Sequence, residues 1–304
     1  MSTSKRLTEV LENTEVTIDF DDTDRFILFG DCHRGDNSAA DDFAHNQQIF
    51  FFALQHYLDE GFTYIELGDG DELWENRDFS EIRKAHDNVY DLMADFYRDG
   101  RLYLIWGNHN RDWSKRQNVE KHLFGYTDRD GKPKKLFDKI QVHEGIVLRY
   151  QDCDRILLVH GHQGQLWNDD LWWAGRYLVR RAWRPLQILG AKDPTSPADN
   201  FEIAEAVEKQ LRRWAEENKL VLIAGHTHRS SFDPMTEPAY FNVGSCVHPR
   251  CITGIKIQDG QISLVKWWPK PDSEGFLRLR EEYVRDETKP VALKEIFARI
   301  HGSG

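Results

Sequence analysis

The chain has 304 residues with 51 acidic against 40 basic side chains, and its net charge of −11 argues against a general polyanion binder, which needs clustered Lys and Arg. Its 10 Trp, 10 Tyr and 17 Phe exclude intrinsic disorder, and 4 scattered cysteines without a CxxC pair exclude a disulfide framework or a zinc ribbon. MSTSKRLTEV at the start lacks a secretory apolar stretch and no apolar run nears the roughly 18–20 residues that span a bilayer, so the expectation is a soluble, reduced, cytoplasmic protein.

Short β-rich apolar runs alternate with amphipathic stretches. Strands are predicted at 26–29 (FILF), 64–67 (YIEL), 102–106 (LYLIW), 146–150 (IVLRY), 156–159 (ILLV) and 220–224 (LVLIA), then at 240–243, 252–257 and 262–267. Helices are predicted at 41–58, 80–97 and 200–218; within the second, Ile82, Val89, Leu92, Met93 and Phe96 recur at helical spacing. Residues 127–138 (TDRDGKPKKLFD) read as a solvated loop, and 278–285 as a solvated helix face. The stretch 163–219 reads as a helical cap inserted into a single domain covering 1–304. Strand–helix alternation with an antiparallel-looking end predicts an α/β sandwich.

The informative residues stand directly after the apolar runs. FILF leads into Gly30-Asp31-Cys32-His33, YIEL into Gly68-Asp69, and LYLIW into Gly107-Asn108-His109. ILLV leads into His160-Gly161-His162, and LVLIA into Gly225-His226-Thr227-His228. Five strands thus deliver Asp, Asn or His at their C-terminal ends, where ligands collect in α/β sheets. On extended backbone, residues i and i+2 face one way, so Asp31 with His33, and His226 with His228, are each expected to grip one ion. An N and O donor set without thiolate suits Mn, Fe, Zn or Co.

These blocks resemble the calcineurin-like metallophosphoesterases, whose signature runs D-x-H, G-D-x-x-[D/E], G-N-H, H, G-H-x-H. The resemblance implies a four-layer α/β/β/α sandwich with a helical cap, and two divalent metal ions (Mn, Fe or Zn, with Mn favoured). It implies that Asp31, His33, Asp69 and His228 hold the first ion, and that Asp69, Asn108, His160 and His226 hold the second. It further implies hydrolysis of a phosphoester or pyrophosphate by a metal-bridging hydroxide, with His109 as proton donor to the leaving oxygen or orienter of phosphate. A structural partner of Asp69 is the plainer reading of His109, and packing is the plainer reading of His162. A non-catalytic scaffold of the same fold is the competing function.

Two further blocks resemble UDP-2,3-diacylglucosamine hydrolases, which cut a lipid-linked pyrophosphate: Asp69-Gly70-Asp71-Glu72-Leu73-Trp74, and, like the start of their helical cap, Asp169-Asp170 followed by Arg184-Pro185-Leu186-Gln187. Those enzymes carry G-N-R where this chain has Gly107-Asn108-His109. The expected partner is therefore a phosphorylated small molecule or lipid-like substrate, with peripheral membrane contact allowed and no nucleic acid. In the cap, Arg176, Arg180 and Arg184 form an i, i+4, i+8 stripe within an acid-free stretch, 171–190. Arg176 and Arg180 are read as gripping a second phosphate, since guanidinium forks suit phosphate oxygens; ordinary surface ion pairs are the plain alternative.

Overall fold

Alternation along the strands sorts their apolar side chains onto opposite sheet faces, and both faces of both sheets find a cover. The computed structural model describes residues 2–76, 78–128, 130–163, 201–234, 239–285 and 289–302. The first half runs α1 (Thr3–Asn13), β1 (Thr17–Phe20), β2 (Phe26–Phe29), α2 (Gln47–Asp59), β3 (Thr63–Leu67), α3 (Phe79–Ala85), α4 (Asp87–Arg98) and β4 (Leu102–Ile105). A short 3-10 turn (Arg111–Ser114), α5 (Arg116–Leu123), β5 (Gly125–Thr127), β6 (Pro133–Lys135), β7 (Val142–His143), β8 (Gly145–Tyr150) and β9 (Asp154–Val159) come next. After residue 200 come α6 (Phe201–Glu217), β10 (Val221–Ala224), β11 (Tyr240–Asn242), β12 (Ile252–Gln258), β13 (Gln261–Pro271), β14 (Leu277–Tyr283), β15 (Val291–Ala292) and α7 (Leu293–Gly302).

One sheet has the order β1-β8-β9-β10-β11, the other β14-β13-β12-β2-β3-β4-β7 with β15 alongside β13. Between them lies a core of Leu28, Ile65, Leu67, Ile105, Ile146, Leu158, Ile223 and Phe241. The opposite face of the larger sheet, with Ile27, Phe29 and Tyr64, packs on Phe50, Leu54, Val89 and Phe96 of α2 and α4. Leu157, Val159 and Leu222 of the smaller sheet pack outward on Leu7 and Val10 of α1 and on Leu211 and Trp214 of α6. The result is the four-layer α/β/β/α sandwich. Ile27 and Leu28 are both fully buried, on opposite faces of β2, and each such side chain contributes about 1.5–3 kcal/mol.

Four expectations need correction. The helix expected over 80–97 is two helices that meet at His86, whose buried Nε2 is held 2.8 Å from Asp41 Oδ2. The helix expected from 41 starts at Gln47, because Asp41 instead closes a turn, accepting from the backbone N–H of Asn37, Phe43 and Ala44. The solvated helix face expected over 278–285 is largely the edge strand β14, paired antiparallel to β13. Its run L-R-L-R-E-E-Y has a period of two that charge alone concealed. The charged loop at 127–138 also contains part of a hairpin, with β5 pairing β6.

Among the described residues no helix is long and apolar enough to cross a membrane. Of the insertion expected over 163–219, residues 164–200 lie outside the described residues, and α6 covers the smaller sheet.

Candidate metal centre

The loops after β2, β3 and β4, which are parallel in the larger sheet, meet the loops after β9 and β10, which are parallel in the smaller one. They carry Asp31 and His33, Asp69, Asn108 and His109, His160, and His226 and His228 respectively. Backbone bonds stitch the first two loops together: Asp31 N donates to Gly68 O (3.1 Å) and His33 N to Asp69 O (2.8 Å). Residues i and i+2 were expected to converge on extended backbone. They converge by another route, because Asp31, His33, Asp69, His226 and His228 adopt positive φ of 52°, 49°, 49°, 71° and 55°. Left-handed backbone at a non-glycine residue costs about 1–3 kcal/mol and is kept where the surroundings enforce it. Gly107 allows the third loop to close on the second: a Cβ there would lie 2.8 Å from the backbone nitrogen of Asp69.

Asp69 is central. Its Oδ1 accepts from the backbone N–H of His109 (2.8 Å), while Oδ2 lies 2.9 Å from His160 Nε2 and 3.9 Å from His33 Nε2. Burial would raise its pKa, but the imidazoles of His160, His109 and His33 hold it well below the usual carboxylate range. On one side Asp31 Oδ1 is 3.1 Å from His228 Nε2 and 3.9 Å from His33 Nε2. On the other, His160 Nε2 is 3.1 Å from Asn108 Oδ1, and the His226 ring lies 5.1 Å from that of His160. Burial, reinforced by His160, pushes the pKa of His226 well down, which keeps the ring a neutral donor.

This donor set fits cations. His160 Nδ1 donates to Leu67 O (2.9 Å), which leaves Nε2 facing two further oxygens, Asn108 Oδ1 and Asp69 Oδ2. Asp31 Oδ1 is fully buried and has no hydrogen-bond partner among the described residues. Such convergence of lone pairs is what a divalent ion satisfies. Three groupings bring donor atoms within 4.8 Å of one another: Asp31, His33 and His228; Asp69, His160 and His226; and His33, Asp69 and His109.

His109 Nδ1 lies 2.7 Å from Glu72 Oε2, and that same oxygen is 2.7 Å from His33 Nδ1. Burial disfavours the His109 imidazolium, yet Glu72 and Asp69 outweigh it and push its pKa up to about 10. Glu72, which burial alone would raise, is held at about 2 by His109 and His33. Trp74 stacks on His109 at 4.4 Å and donates from Nε1 to Asn108 O (2.6 Å). Glu72 and Trp74 thus both contact His109, from a recognised motif that gave them no expected task; the third position after Asp69 was the available signal.

The calcineurin-like phosphoesterase family matches residues 24–230. The chain belongs to that family. Among curated proteins, none matches this family member. It is similar to Vps29 of Chaetomium thermophilum, at 13% identity over 86% of this chain and 96% of that one, with a TM-score of 0.36. In this family member all eight residues expected at the centre from Asp31 to His228 lie on the five converging loops, whereas Arg176 and Arg180 lie outside the described residues. His162 packs between Trp106 (5.1 Å) and His160 (5.4 Å), and burial holds it neutral.

Proposed function

We propose that this chain is a dinuclear metal-dependent phosphohydrolase acting on a phosphoester or pyrophosphate of a small or lipid-like molecule. Asp31, His33, Asp69 and His228 would hold one divalent cation, and Asp69, Asn108, His160 and His226 the second. The observation that carries this reading is the position of Asp69 Oδ2 between His33 and His160. Bound cations would supply charge neutralisation at phosphoryl oxygens and a water acidic enough to attack near neutral pH.

The chain's own residues supply the rest. Glu72 fixes His109 through Nδ1 and keeps the ring protonated, so Nε2 carries the proton that meets the leaving oxygen. Trp74 limits rotation of that ring by stacking. Both residues of the narrower diacylglucosamine-type block therefore serve His109, and the lipid-pyrophosphate reading rests on residues 169–170 and 184–187, outside the described ones.

Asp69→Asn tests the proposal, since an amide bridges two cations poorly. Metal content should fall by at least one ion, and Mn²⁺-dependent turnover of bis(nitrophenyl) phosphate should drop by about a hundredfold or more, beyond the about 10–100-fold typical of outer partners. Wild-type metal content and turnover would refute it.

A further inference from the structure

Beneath the centre, Asp71 reaches the same two loops as its neighbour Glu72, from the interior side. Glu72 meets His33 and His109; Asp71 meets Arg34, the residue after His33, and Trp113, in the turn after His109. Arg34 is 1% exposed and donates from Nε and Nη2 to Asp71 Oδ1 (3.1 and 2.9 Å), and from Nη1 and Nη2 to Glu66 (2.7 and 2.9 Å). Trp113 Nε1 donates to Asp71 Oδ2 (2.8 Å), and the Tyr90 hydroxyl completes the set at Oδ1. The backbone repeats the tie: Arg34 N donates to Gly70 O (2.9 Å) and Glu72 N to Arg34 O (3.0 Å). At Gly70 a Cβ would stand 2.6 Å from Arg34 Nη2, so only glycine lets the loop close over the guanidinium.

The segment beyond β4 passes this anchoring on to His109. Gly107 N donates to Asn110 Oδ1 (2.6 Å) and Trp113 N to Asn110 O (3.0 Å), making 107–113 one compact turn with His109 inside it. Fixing Trp113 on Asp71 therefore fixes the distance from His109 to the carboxylate one residue further along.

We propose that Asp71 is a positioning residue: through Arg34 and Trp113 it sets the separation of His33 and His109 on which Glu72 depends for holding both rings. This rests on the reading of His109 as proton donor to the leaving group. Asp71 is a buried carboxylate with each oxygen engaged by a donor from a different loop, and breaking such a set is costly to geometry as well as to stability.

The test uses Trp113→Phe, which keeps an aromatic filler, and Asp71→Asn, which turns an amide donor or a weaker acceptor toward the same partners. With Mn²⁺, kcat is compared for an alkyl phosphodiester and for bis(nitrophenyl) phosphate, because their ratio is independent of the folded fraction. The ratio should fall by about 10–100-fold in both variants, in the same direction as in His109→Ala. In metal-free protein, the downfield imidazole N–H resonance of His109 should move, while that of His86, bonded to Asp41 at 2.8 Å, stays. If His109→Ala changes the ratio but neither variant does, or if the His109 and His86 resonances move together, the positioning role is wrong. If His109→Ala itself leaves the ratio unchanged, the error lies in the leaving-group reading.

Discussion

His33 and His228 are 195 positions apart in the chain, yet their Nε2 atoms lie 3.1 Å from each other. His33 Nδ1 is committed to Glu72, which leaves its Nε2 facing His228, with Asp31 Oδ1 3.1 Å from the same His228 nitrogen. Three donors crowd this space, and among the described residues none makes a hydrogen bond to Asp31 Oδ1. Metal-free protein should therefore gain stability on adding Mn²⁺, by about 2.7 kcal/mol per site at a hundred times Kd. His228→Ala should lose part of that gain, read as a smaller rise in Tm; an equal rise in both proteins would remove His228 from the ligand set.

His109→Ala should keep its metals and lose about 10²–10⁴-fold in turnover, most with poor leaving groups such as alkyl phosphates. Loss of metal in that variant would make His109 a ligand, as its proximity to His33 and Asp69 permits.

The pair of Glu72 and His109 gives metal-free protein a defined pH dependence. His109, raised from 6.5 to about 10, adds stability that is complete below pH 6.5 and lost as pH rises through about 10. Glu72, lowered from 4.5 to about 2, adds stability that is complete above pH 4.5 and lost as pH falls through about 2. The Tm gap between wild type and His109→Ala should be widest between pH 4.5 and 6.5 and close toward pH 10. A gap constant up to pH 10 would mean that the pair is not ionic.

Gly107→Ala adds one methyl group against the backbone nitrogen of Asp69, 2.8 Å away. Overpacking of this kind costs about 1–3 kcal/mol, and here it must move Asp69 or the turn that carries His109. Mn²⁺ affinity measured calorimetrically should weaken more than Tm falls. Unchanged affinity would show that the two loops tolerate separation.

The positions of the centre were legible because each donor directly follows an apolar run, and a strand that ends in Asp or His has few structural reasons to do so. The backbone there was not legible: no propensity announces left-handed Asp31, His33 or Asp69, since tertiary bonds such as His33 N to Asp69 O impose it. Arg34 carried no expectation and Asp71 stood in a motif without a task of its own, because burial of an ion pair is decided by neighbours distant in sequence, Tyr90 and Trp113 among them. Likewise β14 passed for a helix face, its pairing with β13 being invisible to local charge.

Each of the two proposed ions would take donors from both sheets: Asp31, His33, Asp69 and Asn108 follow strands of the larger one, His160, His226 and His228 strands of the smaller. During synthesis, neither candidate site can be completed before residue 226 has left the ribosome, and the one built on Asp31 and His33 must wait for residue 228. The nascent chain thus cannot close either full donor set on a metal while the sandwich is half made.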